Sequence, residues 1–497
     1  MNQSNSQLRV LVVIPTWGTK NDRYLLRLIE EYRSMPFDVH VVVLSNVERE
    51  IAPGVEVIAL QPEARPLRDL AALVRYPWLF RDDYRTWKRH LDFPFAHKQI
   101  VADRLNDYDL FIYSEDDMLI TEKNIRSFLK VSADLPENEI PGFLRYELAP
   151  DGRNYPEVHG IFHWDAESVR TRGDYTLAFF TCEHAACYLL TQRQLRRAIE
   201  SGGFLVRAHS EKYDLLCTAA TDPYTQCGFE KLICVSHLDD FLVHHLPNKY
   251  VGTKFGVDDT ELRRQVGVLL QMGKKGERPK SLFATETKFR GLRYSKNYYE
   301  PVMAEIAPLI PSNARTVLSI GCEWGATEAW LAEKGLSVVA VPLDPIITGA
   351  AQAKGVEIVN GDLPTVLEQL KDRRFDCLLL LNILHLAPDP IALLSSLRGL
   401  LTPGASTIIV APNFFQLSVL WRRTLKEDCF KDAGSYSKTG VHFTSPKTVR
   451  AWLQSAGMKL ESVVNVLPDR AKRIRALTFG LTDSFLASEF IAAATKI

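Results

Sequence analysis

Residues 113–121 read YSEDDMLIT, placing Glu115, Asp116 and Asp117 side by side directly after the apolar run LFIY. Three adjacent carboxylates repel one another unless solvent or a cation screens them. Two local arrangements would relieve that repulsion. One is a solvated turn from a strand into a helix, with Thr121 capping a helix that runs through EKNIRSFLKV. The other is a divalent-cation site at a strand end, where Mg2+ or Mn2+ is held by one or two carboxylates and by the phosphate oxygens of a substrate. Residues two apart on an extended chain point the same way, so Glu115 and Asp117 would share a face with Asp116 between them.

The elements that must position this triplet are legible around it. LRVLVVIPTWG is a continuous apolar strand ending at Thr16, Trp17 and Gly18; NDRYLLRLIEEYRSM is an amphipathic helix and DVHVVVLSN a second strand. This alternation predicts a parallel sheet with buried strands. Ligands of such sheets sit at the carboxyl ends of the strands, where Thr16 and the acidic triplet both fall. Beyond residue 252 the chain turns rich in Gly, Lys and Arg (QMGKKGERPKSLFATETKFRG), which predicts a helix and linker over 253–298. A second series of strands and helices follows in RTVLSIGCEWGATEAWLAEKG, LSVVAVPLD and FDCLLLLNILHLA. The expected fold class is therefore α/β, with two tandem Rossmann-like domains over 1–252 and 299–497.

Bulk composition narrows the function classes. At 497 residues, with 60 basic and 60 acidic side chains, the chain is too long for one core and carries no charge excess that would recruit nucleic acid. The eight cysteines form no CxxC pair and no zinc spacing, and read as reduced thiols. The N-terminus lacks a signal-peptide pattern, and the longest apolar stretch, around CLLLLNIL, is too short to cross a bilayer. A cytoplasmic protein with no transmembrane segment is expected; nothing in the composition bars peripheral membrane association.

Taken in order, the strand VVIPTWG, the motif YSEDDM and the later CEHAACYLLTQRQL make residues 8–250 resemble glycosyltransferases of the GT-A fold. That resemblance implies a nucleotide-sugar donor, a glycan acceptor and a divalent metal. It implies that Thr16 lies near the nucleotide and that Glu115, Asp116 and Asp117 hold ribose, metal and diphosphate. This sequence has Glu115 where the first Asp of the family motif is usual, which leaves the division of labour among the three open. By the same resemblance a late histidine adds a metal ligand, and His245 in DDFLVHHLPNKYV is the candidate, ahead of His244. The expected metal set is Glu115, Asp117 and His245. An inverting reaction needs a carboxylate to deprotonate the acceptor hydroxyl. Asp222, in a Pro-containing turn of AATDPYTQCGFEK, is the leading candidate and Glu211 another; an Asp that merely starts that turn is the alternative.

The C-terminal pieces VLSIGCEWGATEAWLAEKG, VVAVPLDP, VNGDL and FDCLLLLNILHLAPDP occur in an order that resembles class I S-adenosylmethionine-dependent methyltransferases over residues 300–497. The resemblance implies that Gly321 and Gly325 line the methionine part of the cofactor. It also implies that Asp362 reaches the adenine and that Asn382 to His385 border the cleft, with His385 as a catalytic candidate. Departures fall at the cofactor itself. Glu323 replaces the middle glycine, Ser319 an acidic residue, and the ribose-gripping carboxylate falls at Pro342, leaving Asp344 two residues late. The combined expectation is a glycosyltransferase whose C-terminal domain O-methylates a sugar hydroxyl. Its alternative is a methyltransferase-like domain that is catalytically silent and serves acceptor or partner binding.

Overall fold

The computed structural model describes residues 7–60, 92–156, 160–251, 257–424, 430, 434–468 and 482–497. The boundary expected near residue 252 lies outside them. The chain divides into two compact units, Met1–His159 with Ser168–Glu277, and Gly160–Glu167 with Arg278–Ile497. Among the described residues no helix is long and apolar enough to cross a membrane.

In the first unit, β1 (Arg9–Thr16) pairs in parallel with β2 (Asp38–Ser45) and with β4 (Leu110–Ser114), while β3 (Glu56–Ala59) extends β2. An antiparallel strand, β11 (Cys187–Thr191), closes the other edge, giving the order β11-β4-β1-β2-β3. The unbroken apolar run Val10–Ile14 is fully buried because β1 has neighbours on both edges and layers on both faces. Helix α1 (Asp22–Ser34) covers the sheet with Leu25, Leu28, Ile29 and Tyr32, the spacing of one helical face. Helix α2 (His97–Asp103) follows before β4. Past β4 come the short strand β5 (Met118–Leu119) and α3 (Glu122–Ala133), whose capping box joins Thr121 and Asn124. Two further sheets complete the unit. One has the order β5-β13-β7-β8, from β7 (Leu144–Leu148), β8 (Asn154–Pro156) and β13 (Leu242–His245). The other has the order β6-β12-β10-β9, from β6 (Glu139–Pro141), β9 (Trp164–Arg172, of which Ser168 onward belongs to this unit), β10 (Tyr175–Phe180) and β12 (Glu230–Cys234). Helices α4 (Gln192–Glu200), α5 (Leu215–Thr225) and α6 (Asp259–Lys275) also belong here.

The second unit is built on one seven-stranded sheet in the order β16-β15-β14-β17-β18-β20-β19. Its strands are β14 (Thr316–Cys322), β15 (Ser337–Pro342), β16 (Glu357–Ile358), β17 (Phe375–Leu381), β18 (Leu401–Pro412), β19 (Met458–Val466) and β20 (Glu489–Lys496). The first five in sequence pair in parallel, and β20 slots in antiparallel between β18 and β19. Helices α7 (Ala326–Glu333), α8 (Gly349–Gln352), α9 (Leu363–Leu370), α10 (Pro390–Arg398) and α11 (Pro446–Ser455) accompany it. Strand order reverses between β14 and β17, so the crevice for a ligand lies outside the carboxyl end of β14.

Candidate functional site

The acidic triplet does not continue β4. It occupies the tight turn between β4 and β5, closed by the Met118 N–H donating to the Glu115 carbonyl at 3.2 Å. A turn rotates successive side chains apart, so the three carboxylates separate instead of alternating as in a strand. Asp116 faces the end of β1, accepting from Thr16 Oγ1 at 2.6 Å and from Asn21 Nδ2 at 2.7 Å. Glu115 lies 3.8 Å from His184 Nε2. Asp117 lies 3.4 Å from His245 Nε2. The pairing of β13 with β5 sets His245 opposite Met118 and turns His245 inward. His244, its neighbour, stacks on Tyr146 and bonds Asn248, as strand alternation requires.

His245 is held from behind. Its Nδ1 is 2.6 Å from Glu147 Oε1, and that fully buried carboxylate also accepts from the Lys249 and Tyr250 N–H groups. A carboxylate behind a histidine fixes the ring and leaves the other nitrogen for a ligand. Sequence reasoning missed Glu147; its trace was Arg145 and Glu147 two apart on a strand whose other residues are apolar or aromatic. Burial dominates the electrostatics. It pushes Glu115 up to about 8, with the nearby Asp117 charge adding to it, and lifts Asp116 to about 6 despite the Thr16 and Asn21 hydrogen bonds. Glu115 Oε1 and Asp117 Oδ1 are buried with no hydrogen-bond partner.

The expected three-residue metal set is not assembled: among the described residues no group of three or more His, Cys, Asp or Glu is placed to hold a metal ion. What the turn brings together is the pair Asp117 and His245, with Glu115 directed to His184. Buried carboxylate oxygens without donors suit a cation, and a pair is enough for one completed by phosphate oxygens and water.

The two base candidates are elsewhere. Asp222 and Pro223 lie inside α5, not in a turn, because Asp214 caps the helix by accepting from the Leu216 and Cys217 N–H groups and the helix runs on to Thr225. Asp222 is 0% exposed, ion-paired with the buried Lys98 of α2 and 3.0 Å from His209 Nε2. Both oxygens are committed, which corrects the expectation of a base open to an acceptor hydroxyl. Glu211 is exposed, its contacts being a long one to Gln226 and one to His209, and it does not join the acidic cluster.

In the second unit Gly321 and Gly325 have positive φ, +79° and +69°, in the loop from β14 to α7. Own side chains fill the space their missing Cβ atoms leave: a Cβ at Gly321 would stand 2.5 Å from Ile383, and one at Gly325 would overlap Ala351. Glu323, buried between them, accepts from the Leu343 N–H at 2.7 Å and the Asp344 N–H at 3.1 Å. Asp344 is 0% exposed; Oδ1 accepts from the Ile346 and Ile347 N–H groups, and Oδ2 from the Trp164 N–H at 3.0 Å. Asp362 caps α9 by accepting from Thr365. His385 is buried, bonds the Tyr294 carbonyl through Nε2 and is pushed down to about 4 by burial.

Residues 301–480 match the family model of the methionine biosynthesis protein MetW. The C-terminal part is a class I methyltransferase-like domain. It is 29% identical over 170 residues to a ubiquinone biosynthesis O-methyltransferase of Xanthomonas axonopodis pv. citri, a match covering 32% of this chain and 69% of that protein. A ubiquinone biosynthesis O-methyltransferase of Xylella fastidiosa is 28% identical over 167 residues, covering 32% of this chain and 66% of that protein. The chain thus spans about two thirds of each curated relative's length. A SAM-dependent methyltransferase from Archaeoglobus fulgidus aligns over 39% of this chain and 91% of its own, at 17% identity and a TM-score of 0.30.

Proposed function

We propose that the first unit is a metal-assisted glycosyltransferase, taking a nucleotide-sugar donor and passing the sugar to a glycan acceptor. The observation that carries this is the Asp117–His245 pair at the carboxyl end of the parallel sheet, with His245 oriented by the buried Glu147. Asp117 and His245 would hold Mn2+ or Mg2+, with Glu115 adjoining, and the ion would neutralise the charge that develops on the leaving diphosphate. Thr16, Asn21 and Asp116 form a hydrogen-bonded polar set at the end of β1, suited to a ribose or sugar hydroxyl. The domain division behind this proposal is a first unit ending with α6 and a second unit carrying the methyltransferase-like fold.

For the second unit the curated O-methyltransferase relatives support methyl transfer to an oxygen, and a sugar hydroxyl taken with S-adenosylmethionine as donor is the finer reading proposed. A specific observation favours the alternative, a domain that keeps the fold without the chemistry. Asp344, the carboxylate the resemblance offers for a ribose, has its oxygens taken by three backbone N–H groups.

The test for the first unit is a panel of sugar nucleotides bound to the whole chain with and without Mn2+. Saturable binding that needs Mn2+ and disappears in Asp117→Ala is expected. Metal-independent binding, or binding unchanged in Asp117→Ala, refutes the assignment.

A further inference from the structure

The crevice of the methyltransferase-like domain lies outside the carboxyl end of β14, where the strand order reverses between β14 and β17, and the loops that follow β14 and β15 flank it. A nucleoside cofactor must bridge those two loops, meeting backbone N–H groups on one and a carboxylate on the other. In this chain that bridge is made of protein. Tyr298, 1% exposed, accepts from the Trp324 N–H of the first loop at 3.1 Å, and donates its own N–H to the Gly160 carbonyl at 2.6 Å. Its ring stacks on His163, with centroids 4.5 Å apart and planes 21° from parallel, and its hydroxyl bonds Thr285. His163 Nδ1 is 3.7 Å from Asp344 on the second loop, and the Trp164 N–H donates to the same carboxylate.

The two loops are also tied directly to each other. Glu323 on the first loop accepts from two N–H groups on the second. The carboxylates of Glu323 and Asp344 are therefore both satisfied by the chain. Satisfied buried groups gain little by exchanging partners, whereas opening them exposes an unpaired carboxylate. The residues present do not fit S-adenosylmethionine.

We propose that this crevice is a filled socket: Tyr298 and the segment Gly160–Trp164 stand where the nucleoside would lie, and the domain takes no S-adenosylmethionine. The inference is independent of sugar-nucleotide binding by the first unit, which uses other residues and a separate assay. Its role is structural, since a segment lying far upstream in the sequence is locked into the sheet's ligand crevice by hydrogen bonds and a ring stack.

The experiment is equilibrium dialysis of the whole protein against radiolabelled S-adenosylmethionine up to millimolar concentration, paired with amide hydrogen exchange. No saturable uptake is expected, and the Trp164, Leu343 and Asp344 amides should exchange slowly and at the same rate with and without the cofactor. Saturable uptake approaching one molecule per chain overturns the proposal. So does rapid exchange at those three amides, or a rate that changes when S-adenosylmethionine is added.

Discussion

Replacing Asp222 with Asn should unfold the first unit's core more than it should alter any chemistry. Lys98 and Asp222 are 2% and 0% exposed and form a direct ion pair, with His209 on the other carboxylate oxygen. Asp222→Asn keeps the shape and removes the negative charge, leaving the buried Lys98 ammonium, which lies 4.5 and 5.9 Å from the rings of Phe95 and Phe204, without its counter-charge. Breaking a buried pair from one side costs about 3–5 kcal/mol, a large part of the 5–15 kcal/mol typical of a whole domain. The pH dependence has a definite sign. Burial already lowers Lys98 from 10.5 and Asp222 opposes that effect, so the variant lowers it further. A lysine depressed in the folded state favours folding in its neutral form, so the variant's deficit should shrink as pH rises from neutral toward 10.5. Urea unfolding followed by circular dichroism, at neutral and alkaline pH, measures both effects. Lys98→Met combined with Asp222→Leu should recover most of the loss, because an apolar pair needs no compensation. A wild-type midpoint for Asp222→Asn, or a double variant no better than the single one, would refute the placement. Lost transfer activity with stability intact would instead return Asp222 to the role of base.

Glu147→Gln should weaken Mn2+ binding by roughly 10- to 100-fold without unfolding the unit, since it loosens the ring of His245; titration of the metal checks this, and an unchanged affinity removes His245 from the site. In the second unit, burial holds His385 at about 4, below its ordinary 6.5, so the unfolded chain takes up the proton first. Stability should therefore fall as pH drops from 6.5 through 4, by up to about 3 kcal/mol from this residue. His385→Gln, which can keep the bond to the Tyr294 carbonyl, should flatten that part of the acid profile in thermal melts; an unaltered profile places the titrating group elsewhere.

Much of the framework was legible from local pattern. The run Val10–Ile14 could only be a strand buried on both faces, and it is the centre of the first sheet. Thr121 marked a helix start and caps one, because capping needs only residues three apart. The opposed facing of His244 and His245 followed from strand alternation. The triplet was recognisable as unusual, but its directions were not, because a two-residue turn and a continued strand share the same letters. Asp222 misled for a related reason: the Pro beside it suggested a turn, while the cap at Asp214 carried a helix through it.

The sequence by itself determined the apolar periods, the helix caps and the departures Glu323 and Pro342 from a cofactor-binding pattern. Only the tertiary structure decided what those departures mean. Glu147 reaches His245 across 98 residues, Lys98 meets Asp222 across 124, and Trp164 meets Asp344 across 180. Periodicity is read within a few residues, but the partner that satisfies a buried charge is chosen by packing among segments far apart in the chain, where desolvation makes one close neighbour outweigh any local preference.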